Sequence, residues 1–348
     1  MKSIIIGAGN LDGYFTPDDE KSLDLLKEAH NSAMETGSSF AVDKLIDACQ
    51  KTEALTKKIC EKEPAINVYS FTANDTNKNE ASRIISKLRS VDTKNEEFIF
   101  YIQKAYELLF KQTYLHKPEV KIKKTIIKTP VTVPVQNYAV HELADADGVT
   151  CNVVMCVLLR GALLPSMIVS KQIEDYSATG RVTPFALFKI RRADSKNEND
   201  MEYILDPDQS FFNPRQLDGK DLVFADPMNA TCGSFITVVK YLLDTGIRPN
   251  SVNFLNVISS VKGALRAVRA IENCSLYTMW MDPALNEKAY IVPGLGDAGD
   301  RINGKDDTDN PRDIPNLLSG YGPFLTELYK NQIEEILKTV NGCSGDKR

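Results

Sequence analysis

Short apolar runs alternate with amphipathic stretches over the second half of the chain. Residues 153–159 form an unbroken hydrophobic run, which is typical of a parallel strand buried on both faces. The same periodicity predicts further elements in alternation, namely strands at 222–224, 252–258 and 276–279 and helices at 234–244 and 261–270. This order predicts an α/β fold with a parallel sheet flanked by helices.

The first 65 residues have a helical pattern instead. Thr16 and Pro17 open a predicted helix, because threonine is a good N-cap and proline fits the first helical position. A second helix is predicted at 42–61. We expect this appendage to be separable from the chemistry, or else to cover a sheet edge or mediate assembly. The expected division is a helical N-terminal appendage at 1–65, a main domain at 66–304, and a linker with a C-terminal helix at 305–348.

Three further elements are predicted before residue 153. Residues 66–71 fit a short strand, and Thr93 with Glu96 has the spacing of a capping box at the start of an amphipathic helix. Residues 121–135 alternate in character and are interrupted by prolines, which predicts edge strands or a β-flap.

Composition narrows the class of protein. The chain has 348 residues, 43% of them hydrophobic, and a net charge of −5, so nothing indicates an electrostatic nucleic-acid binder. Its longest apolar run is too short to span a bilayer. Seven cysteines without a C-x-x-C pair, beside three histidines, argue against a zinc site. The odd cysteine count and the lack of a signal-peptide pattern favour a reducing, cytoplasmic setting.

Two loop segments carry the candidate chemistry. Residues 290–301 combine three glycines with a proline, and such a loop offers backbone N–H and C=O groups suited to the edge of a small planar ring. Residues 226–234 join a predicted strand to a predicted helix, which is the arrangement of an anion site. Thr231 and Ser234 add hydroxyl donors there, and Asp226 is an acceptor at the strand end.

The two segments resemble the uracil loop and the phosphoribosyl-pyrophosphate (PRPP) loop of uracil phosphoribosyltransferases, and the resemblance extends over 66–304. It implies a type I phosphoribosyltransferase fold, in which a small hood holds the uracil loop, with the helical N-terminal segment as an addition. The implied reaction joins uracil to the ribose of PRPP and gives UMP and pyrophosphate, with Mg²⁺ carried by PRPP.

The resemblance also implies the site residues. Asp226 and Arg160 are the expected catalytic residues. Uracil is expected to contact the backbone of Ile291, Gly296 and Ala298, with Asp297 shared between uracil and PRPP. The expected PRPP-binding residues are Arg160, Arg192, Asp226, Pro227, Met228, Asn229, Ala230, Thr231, Cys232, Gly233, Ser234 and Asp297. No residue is expected to hold a metal of its own.

The two arginines follow predicted strands, where a guanidinium suits the oxygens of pyrophosphate. Arg160 ends the run at 153–159, and Arg192 follows the short strand 188–190. For each of them, a solvated charge at a strand end is the alternative interpretation.

Departures from the family pattern leave other functions open. The family has leucine and glycine where this chain has Asn229 and Cys232, and the small residues after Arg160 are exchanged. A degenerate protein that binds uracil or UMP without turnover, as a regulatory or partner subunit, is therefore an alternative. A transferase for another base is a third possibility, whereas a nucleoside kinase would need a P-loop motif that the sequence lacks.

Cys232 is of particular interest because the family places glycine there. If φ is positive, cysteine costs on the order of 1 kcal/mol, whereas a negative φ tolerates the thiol. A helix N-terminus lowers a thiol pKa, so we expect a reactive thiol that bound phosphate shields from alkylation.

The expected partners are uracil, PRPP and UMP, but neither nucleic acid nor a membrane. GTP is a candidate effector, since residues 87–89 faintly resemble a segment that supports GTP activation in some family members. A homo-oligomer is also expected.

Overall fold

The computed structural model describes residues 3–37, 42–72, 75–193, 195–306 and 312–345. The helices are α1 Pro17–Gly37, α2 Val42–Cys60, α3 Tyr69–Thr72, α4 Asp75–Arg89, α5 Asn95–Phe110, α6 Asp147–Thr150, α7 Leu163–Asp175, α8 Gly233–Asp244, α9 Val261–Ala270, α10 Ala298–Asn303, α11 Ile314–Ser319, α12 Gly322–Leu328 and α13 Lys330–Gly345. The strands are β1 Ile4–Gly7, β2 Ile66–Val68, β3 Lys121–Lys128, β4 Tyr138–Asp145, β5 Val153–Leu159, β6 Phe185–Arg192, β7 Glu202–Phe211, β8 Asp221–Ala225, β9 Met228–Asn229, β10 Ser251–Ser260, β11 Cys274–Asp282, β12 Ala284–Leu285 and β13 Ile291–Val292.

Within these ranges, nine strands form one sheet in the order β1-β7-β6-β5-β8-β10-β11-β2, with β9 paired to β10 beyond the end of β8. The strands from β6 to β2 in this order are parallel, whereas β7 pairs antiparallel with both of its neighbours, β6 and the edge strand β1. Helices α5, α7 and α13 pack on one side of the sheet, and α8 and α9 on the other. The expected α/β fold with a parallel sheet flanked by helices is confirmed.

The core lies where the apolar runs predicted it. Strand β5 is buried along almost its whole length because helices cover both of its faces. On the α8 side, Phe235 stacks on Phe254 with ring centroids 4.3 Å apart, and Phe224 meets Phe235 edge-on at 4.9 Å. These contacts hold β8, β10 and α8 together directly below the loop that joins β8 to α8.

A hood, residues 284–303, follows the carboxyl end of β11. It consists of the antiparallel pair β12–β13 and helix α10. Because β5, β8, β10 and β11 run parallel, their carboxyl ends meet at one edge of the sheet, and the hood lies at that edge. A separate hairpin, β3 with β4, pairs over eight residues on each strand. The strand predicted at 121–135 is confirmed only up to Lys128, and its partner β4 lies beyond the predicted range.

Other expectations need correction. The N-terminal appendage is not only helical, because β1 pairs with β7 and covers that edge of the sheet. The strand expected at 66–71 ends at Val68, where α3 begins. The capping box is wrong: Lys94 is the N-cap of α5, and the Thr93 hydroxyl donates instead to the Lys87 carbonyl over 2.6 Å.

The expected linker after residue 304 is described only in part. Residues 307–311 lie outside the described ranges, and α11 begins soon after them, at Ile314. In the part of the chain that the structure describes, no helix is both long and apolar enough to cross a membrane.

Candidate active site

Asp226 lies at the carboxyl end of β8, as predicted, and is fixed there by its own backbone. Its N–H donates to the Leu255 carbonyl over 3.1 Å, and its carbonyl accepts from Asn256 Nδ2 at 2.9 Å. The carboxylate is half-buried and accepts one hydrogen bond, from the Met228 N–H at 3.2 Å. Burial, together with the negative charge of Asp297, raises the pKa of Asp226 to about 7, although the Met228 N–H opposes this shift.

The phosphate loop, residues 226–234, connects β8 to α8 and lies against the start of α9. The two residues that depart from the family pattern, Asn229 and Cys232, are both buried. Asn229 is buried, and its Nδ2 donates to Ser259 Oγ at 2.9 Å. A Cβ on Gly263 of α9 would lie only 2.9 Å from Asn229 Oδ1 and 2.5 Å from the Ala230 carbonyl. Asn229 therefore serves the packing of the loop on α9.

Tyr203 of β7 shapes the other side of the phosphate loop. A Cβ on Gly233 would lie 2.0 Å from the Tyr203 ring, so this position requires glycine. The Tyr203 hydroxyl and Thr231 Oγ1 are 2.5 Å apart, and Thr231 is buried. The Thr231 hydroxyl is thus bonded to the interior, whereas Ser234 in the first turn of α8 is half-buried.

Cys232 adopts a left-handed conformation, with φ of 65°, at the N-cap of α8. Of the two alternatives for this residue, the structure therefore has the positive φ, at which cysteine costs on the order of 1 kcal/mol. The expected lowering of its thiol pKa is wrong: the thiol is buried, and this burial raises its pKa well above the ordinary value in spite of the nearby Arg266.

We therefore expect Cys232 to resist alkylation in the folded protein, with or without PRPP. The exposed residues Cys49 and Cys151 are internal controls, because they should react within minutes under conditions that leave Cys232 intact. Peptide mass mapping after a timed exposure to N-ethylmaleimide measures all three. Labelling of Cys232 as fast as that of Cys151 would contradict its burial.

Arg160 follows β5 and reaches the hood rather than solvent. Its Nη2 lies 2.8 Å from Asp300 Oδ1, its Nη1 donates to the Gly304 carbonyl over 2.8 Å, and its Nε lies 3.4 Å from Asp306 Oδ2. The loop after β5 also touches the hood directly, since a Cβ on Gly161 would lie 3.4 Å from Gly299 Cα. The structure thus places Arg160 against the hood, bonded to carboxylates with which an anionic substrate would compete.

Arg192 ends β6, and its guanidinium lies over the Tyr290 ring, 4.6 Å from the ring centroid. This contact places it at the first residue of the base loop, residues 290–301. Arg160 and Arg192 therefore approach the hood from two different strands, β5 and β6, and the structure shows neither as a freely solvated strand-end charge.

The base loop is held by an ion pair that sequence reasoning missed. Asp282, at the end of β11, is 1% exposed and pairs with Arg89 through both carboxylate oxygens, at 2.5 and 3.1 Å. Asp282 Oδ2 also accepts from the Gly294 N–H at 2.9 Å, and Arg89 donates to the Gly294 carbonyl at 3.0 Å. The sequence offered only the position of Asp282, shortly after the predicted strand 276–279 and before the glycine-rich loop.

Arg301 closes the base loop from its other end. Its guanidinium donates to the carbonyls of Leu88, Leu295, Ser90 and Thr93 and lies over the Phe98 ring at 4.0 Å. These contacts tie the hood to α4 and α5. With four carbonyl partners, the Arg301 guanidinium restrains the conformation of the base loop.

The expected uracil-binding residues lie together on this fixed loop. Ile291 and Ala298 are buried, whereas Gly296, at φ of 74°, and Asp297 are exposed. Asp297 caps α10 through its Oδ1, which accepts from the Asp300 N–H at 2.9 Å. The negative charge of Asp297 contributes to the raised pKa of Asp226, so these two carboxylates of the base loop and the phosphate loop lie near each other.

Both loops carry carboxylates, which are ligands of the kind that hard cations prefer. Across the described residues, no three His, Cys, Asp or Glu side chains cluster to hold a metal alone. Asp226 and Asp297 are oxygen donors of the kind that Mg²⁺ prefers, but Mg²⁺ also needs waters or phosphate oxygens to complete its octahedron.

Comparisons with known proteins give relatives for this site and this fold. Residues 186–304 match the family described as uracil phosphoribosyltransferase. A uracil phosphoribosyltransferase of Campylobacter concisus is 31% identical over 216 residues, which cover 62% of this chain and 89% of that protein. Another, of Polaromonas naphthalenivorans, is 39% identical over 101 residues, 29% of this chain and 47% of its own length. The chain thus spans about half the length of the second relative.

Among solved structures, a protein of Aquifex aeolicus is similar to this chain over 65% of this chain and 94% of its own length. The sequence identity is 21% and the TM-score is 0.46.

Proposed function

The chain belongs to the uracil phosphoribosyltransferase family, and we propose that it transfers the phosphoribosyl group of PRPP to uracil, giving UMP and pyrophosphate. The observation that carries this proposal is that both loops lie at the same end of the parallel sheet, after β8 and after β11. The base loop is fixed by Asp282, Arg89 and Arg301, and the phosphate loop presents Asp226 at the end of β8.

Asp226 is the residue that we assign to the reacting ribose. As pyrophosphate leaves, positive charge develops at the anomeric carbon, and a carboxylate held beside it in a half-buried site stabilises that charge. The pKa near 7 means that Asp226 is only partly ionised in the free protein at neutral pH. The positive charge that develops at the anomeric carbon favours its ionised form, and Mg²⁺ bound with PRPP would do the same.

Arg160 is the residue that we assign to the leaving pyrophosphate, with Arg192 as a second cation near the base loop. The bonds of Arg160 to Asp300 and Asp306 keep its guanidinium in place before substrate arrives. Pyrophosphate carries more charge than either carboxylate, so it can replace one of them on the same fork of N–H groups. Mg²⁺ carried by PRPP would supply further neutralisation of the phosphate oxygens.

Uracil recognition is assigned to backbone groups of Ile291, Gly296 and Ala298. A neutral ring with alternating donors and acceptors is read well by amides that cannot move. The rigid anchoring of Gly294 and Leu295 by Asp282, Arg89 and Arg301 supports this assignment. Positioning of this kind leaves the reacting nitrogen in line with the anomeric carbon, which itself accelerates the transfer.

A panel of bases tests the choice of substrate. Equal concentrations of uracil, cytosine, adenine and guanine are offered with PRPP and Mg²⁺, and nucleotide products are separated by chromatography. We expect UMP alone. A different nucleotide as the main product would favour a transferase for another base. Binding of uracil or UMP without any product would favour the degenerate, regulatory alternative, which the unusual Asn229 and Cys232 keep open.

We also propose that the chain forms a homo-oligomer through the β3–β4 hairpin. Ile126 and Val140 are register partners on one face of the hairpin and are 69% and 64% exposed, and Ile122 and Tyr138 on the same face are equally exposed. An isolated two-stranded hairpin is only marginally stable in water. Lys124 and Glu142 at the centre of this face lie 3.7 Å apart and compensate each other's charge within the hairpin, so neither charge opposes contact of this face with a second copy.

Ile126→Glu is therefore expected to convert an oligomer to a monomer without lowering the melting temperature of the fold. Val91→Glu is the matched control, because Val91 is an isolated apolar side chain, 97% exposed, outside the hairpin. Analytical ultracentrifugation at micromolar concentration measures the mass of each form. A monomeric parent protein, or an Ile126→Glu protein of unchanged mass, would exclude this interface.

A further inference from the structure

Cations of two helices converge on one short piece of the N-terminal segment, residues 14–19. Lys240 of α8 donates to the Tyr14 hydroxyl at 2.8 Å, and Arg269 of α9 bonds the Tyr14 carbonyl at 3.0 Å and Asp19 at 2.7 Å. The Arg269 partnership holds the pKa of Asp19 far below its ordinary value, so this ion pair persists at any working pH. The segment is thus bound firmly to the two helices that adjoin the phosphate loop.

Arg266 of α9 lies at the centre of this contact. It is 1% exposed and is the largest fully buried side chain in the described part of the molecule. On one side its guanidinium lies over the Phe15 ring, 5.2 Å from the ring centroid, and on the other its Nη1 donates to the Thr231 carbonyl at 3.3 Å. Arg266 therefore connects the N-terminal segment to the middle of the phosphate loop.

A hydrogen bond to the Thr231 carbonyl also determines the orientation of the next backbone N–H in the phosphate loop. This carbonyl belongs to the same trans peptide group as the Cys232 N–H, and in a trans peptide the C=O and N–H point in opposite directions. A hydrogen bond from Arg266 to the carbonyl therefore aims the Cys232 N–H away from Arg266 and α9. A charged donor on the carbonyl also polarises the peptide and strengthens that N–H as a donor to an anion.

The same bond stabilises a conformation that cysteine disfavours. Cys232 is left-handed at this point, where a residue other than glycine costs on the order of 1 kcal/mol or more. The loop has further support from Ser260, whose hydroxyl donates to the Ala230 carbonyl next to Thr231. Two successive carbonyls of the phosphate loop are thus held by α9, and α9 is held by residues 14–19.

We propose that residues 14–19 form a positioning element for the phosphate loop, acting through the contact of Phe15 with Arg266 and of Arg266 with the Thr231 carbonyl. Phe15 stabilises a buried guanidinium through its ring face, and Arg266 presents the Cys232 N–H to the phosphate groups of the substrate. These contacts argue against the expectation that the N-terminal residues are separable from the chemistry. The identity of the phosphorylated ligand, PRPP, rests on the proposed function, whereas the effect on the loop does not.

Hydrogen–deuterium exchange on the ligand-free protein tests the effect on the loop. In Phe15→Ala and Arg266→Met, peptides that span 226–234 are expected to exchange at least about fivefold faster than in the parent protein, with peptides of 290–297 as an unchanged reference. Phe15→Tyr keeps the ring and should behave as the parent. Leu25→Ala is the matched control, because Leu25 lies on α1 and is 47% exposed.

Steady-state kinetics then tests the effect on the substrate. Arg266→Met is expected to raise KM for PRPP about fivefold and KM for uracil less than twofold, with partial rescue by Arg266→Lys. A variant that merely unfolds would lower kcat and leave both KM values alone. Unchanged exchange at 226–234 would overturn the positioning role. Faster exchange in a protein that makes no UMP would leave that role standing and contradict the proposed function alone.

Discussion

Replacing Asp226 with asparagine is expected to lower the turnover number about 100-fold, because the lost carboxylate is the group assigned to the positive charge at the anomeric carbon. Asparagine keeps the shape of the side chain and its acceptor for the Met228 N–H, so the phosphate loop should keep its conformation. The measurement is kcat at saturating uracil and PRPP, with circular dichroism as the check on folding.

The same substitution has a stability signature with a definite sign. The pKa of Asp226 rises from 3.8 to about 7 on folding, so between these values the folded protein binds a proton that the unfolded chain releases. The ionised carboxylate therefore destabilises the fold progressively as the pH rises through this interval. Asp226→Asn removes that loss. The melting temperature of the variant minus that of the parent protein should therefore increase between about pH 4 and pH 7 and remain constant at higher pH.

Both outcomes must appear together for the assignment to hold. A variant that loses activity only in proportion to a loss of folded protein would show that Asp226 is structural. A low-pH limb of kcat/KM near pH 7 in the parent, absent in Asp226→Asn, would identify the ionised carboxylate as the active form. A pH dependence of kcat/KM that comes from the titration of PRPP itself would be seen in both proteins.

Replacing Asp282 with alanine is expected to lower the free energy of unfolding by about 3 kcal/mol, since it leaves Arg89 with an uncompensated charge in a largely buried place. It also removes the acceptor of the Gly294 N–H, so the base loop should loosen and KM for uracil should rise at least about tenfold. Urea unfolding and initial rates at varied uracil measure the two effects.

Glu174→Ala is the matched control for this loss. Glu174 on α7 is also an anchored carboxylate, bonded to Lys171, Asn331 and Gln332, but it contacts neither loop. It should destabilise the fold and leave KM for uracil unchanged. An Asp282→Ala protein with the parent KM would show that the ion pair holds the fold and not the base site.

The sequence was most informative where one segment determines its own structure. Strand β5 and helix α9 occur where the periodicity predicted them, because the spacing of apolar residues within each segment is enough to identify a buried strand or an amphipathic helix. Asp226 was likewise found from its position at a strand end. The resemblance supplied the base loop, whose glycines and aspartates are contiguous.

Contacts between distant residues were not predictable in this way. Arg89 and Asp282 are separated by 193 positions, and nothing in either segment alone marks the other as its partner. The direction of the Thr231 hydroxyl depends on Tyr203 of the distant strand β7. The burial of Cys232 is likewise a property of the folded protein that its local sequence does not show. A local argument from the helix N-terminus therefore gave the wrong direction for the Cys232 pKa.

The most direct test of the account is the reaction itself. Purified protein is mixed with labelled uracil, PRPP and Mg²⁺, and UMP and pyrophosphate are quantified together over time, with Asp226→Asn purified in parallel to exclude a contaminating enzyme. The account predicts that the two products appear in equal amounts, depend on both substrates, and nearly vanish in the variant. Labelled uracil that binds to the protein but yields no UMP above the Asp226→Asn background would contradict it.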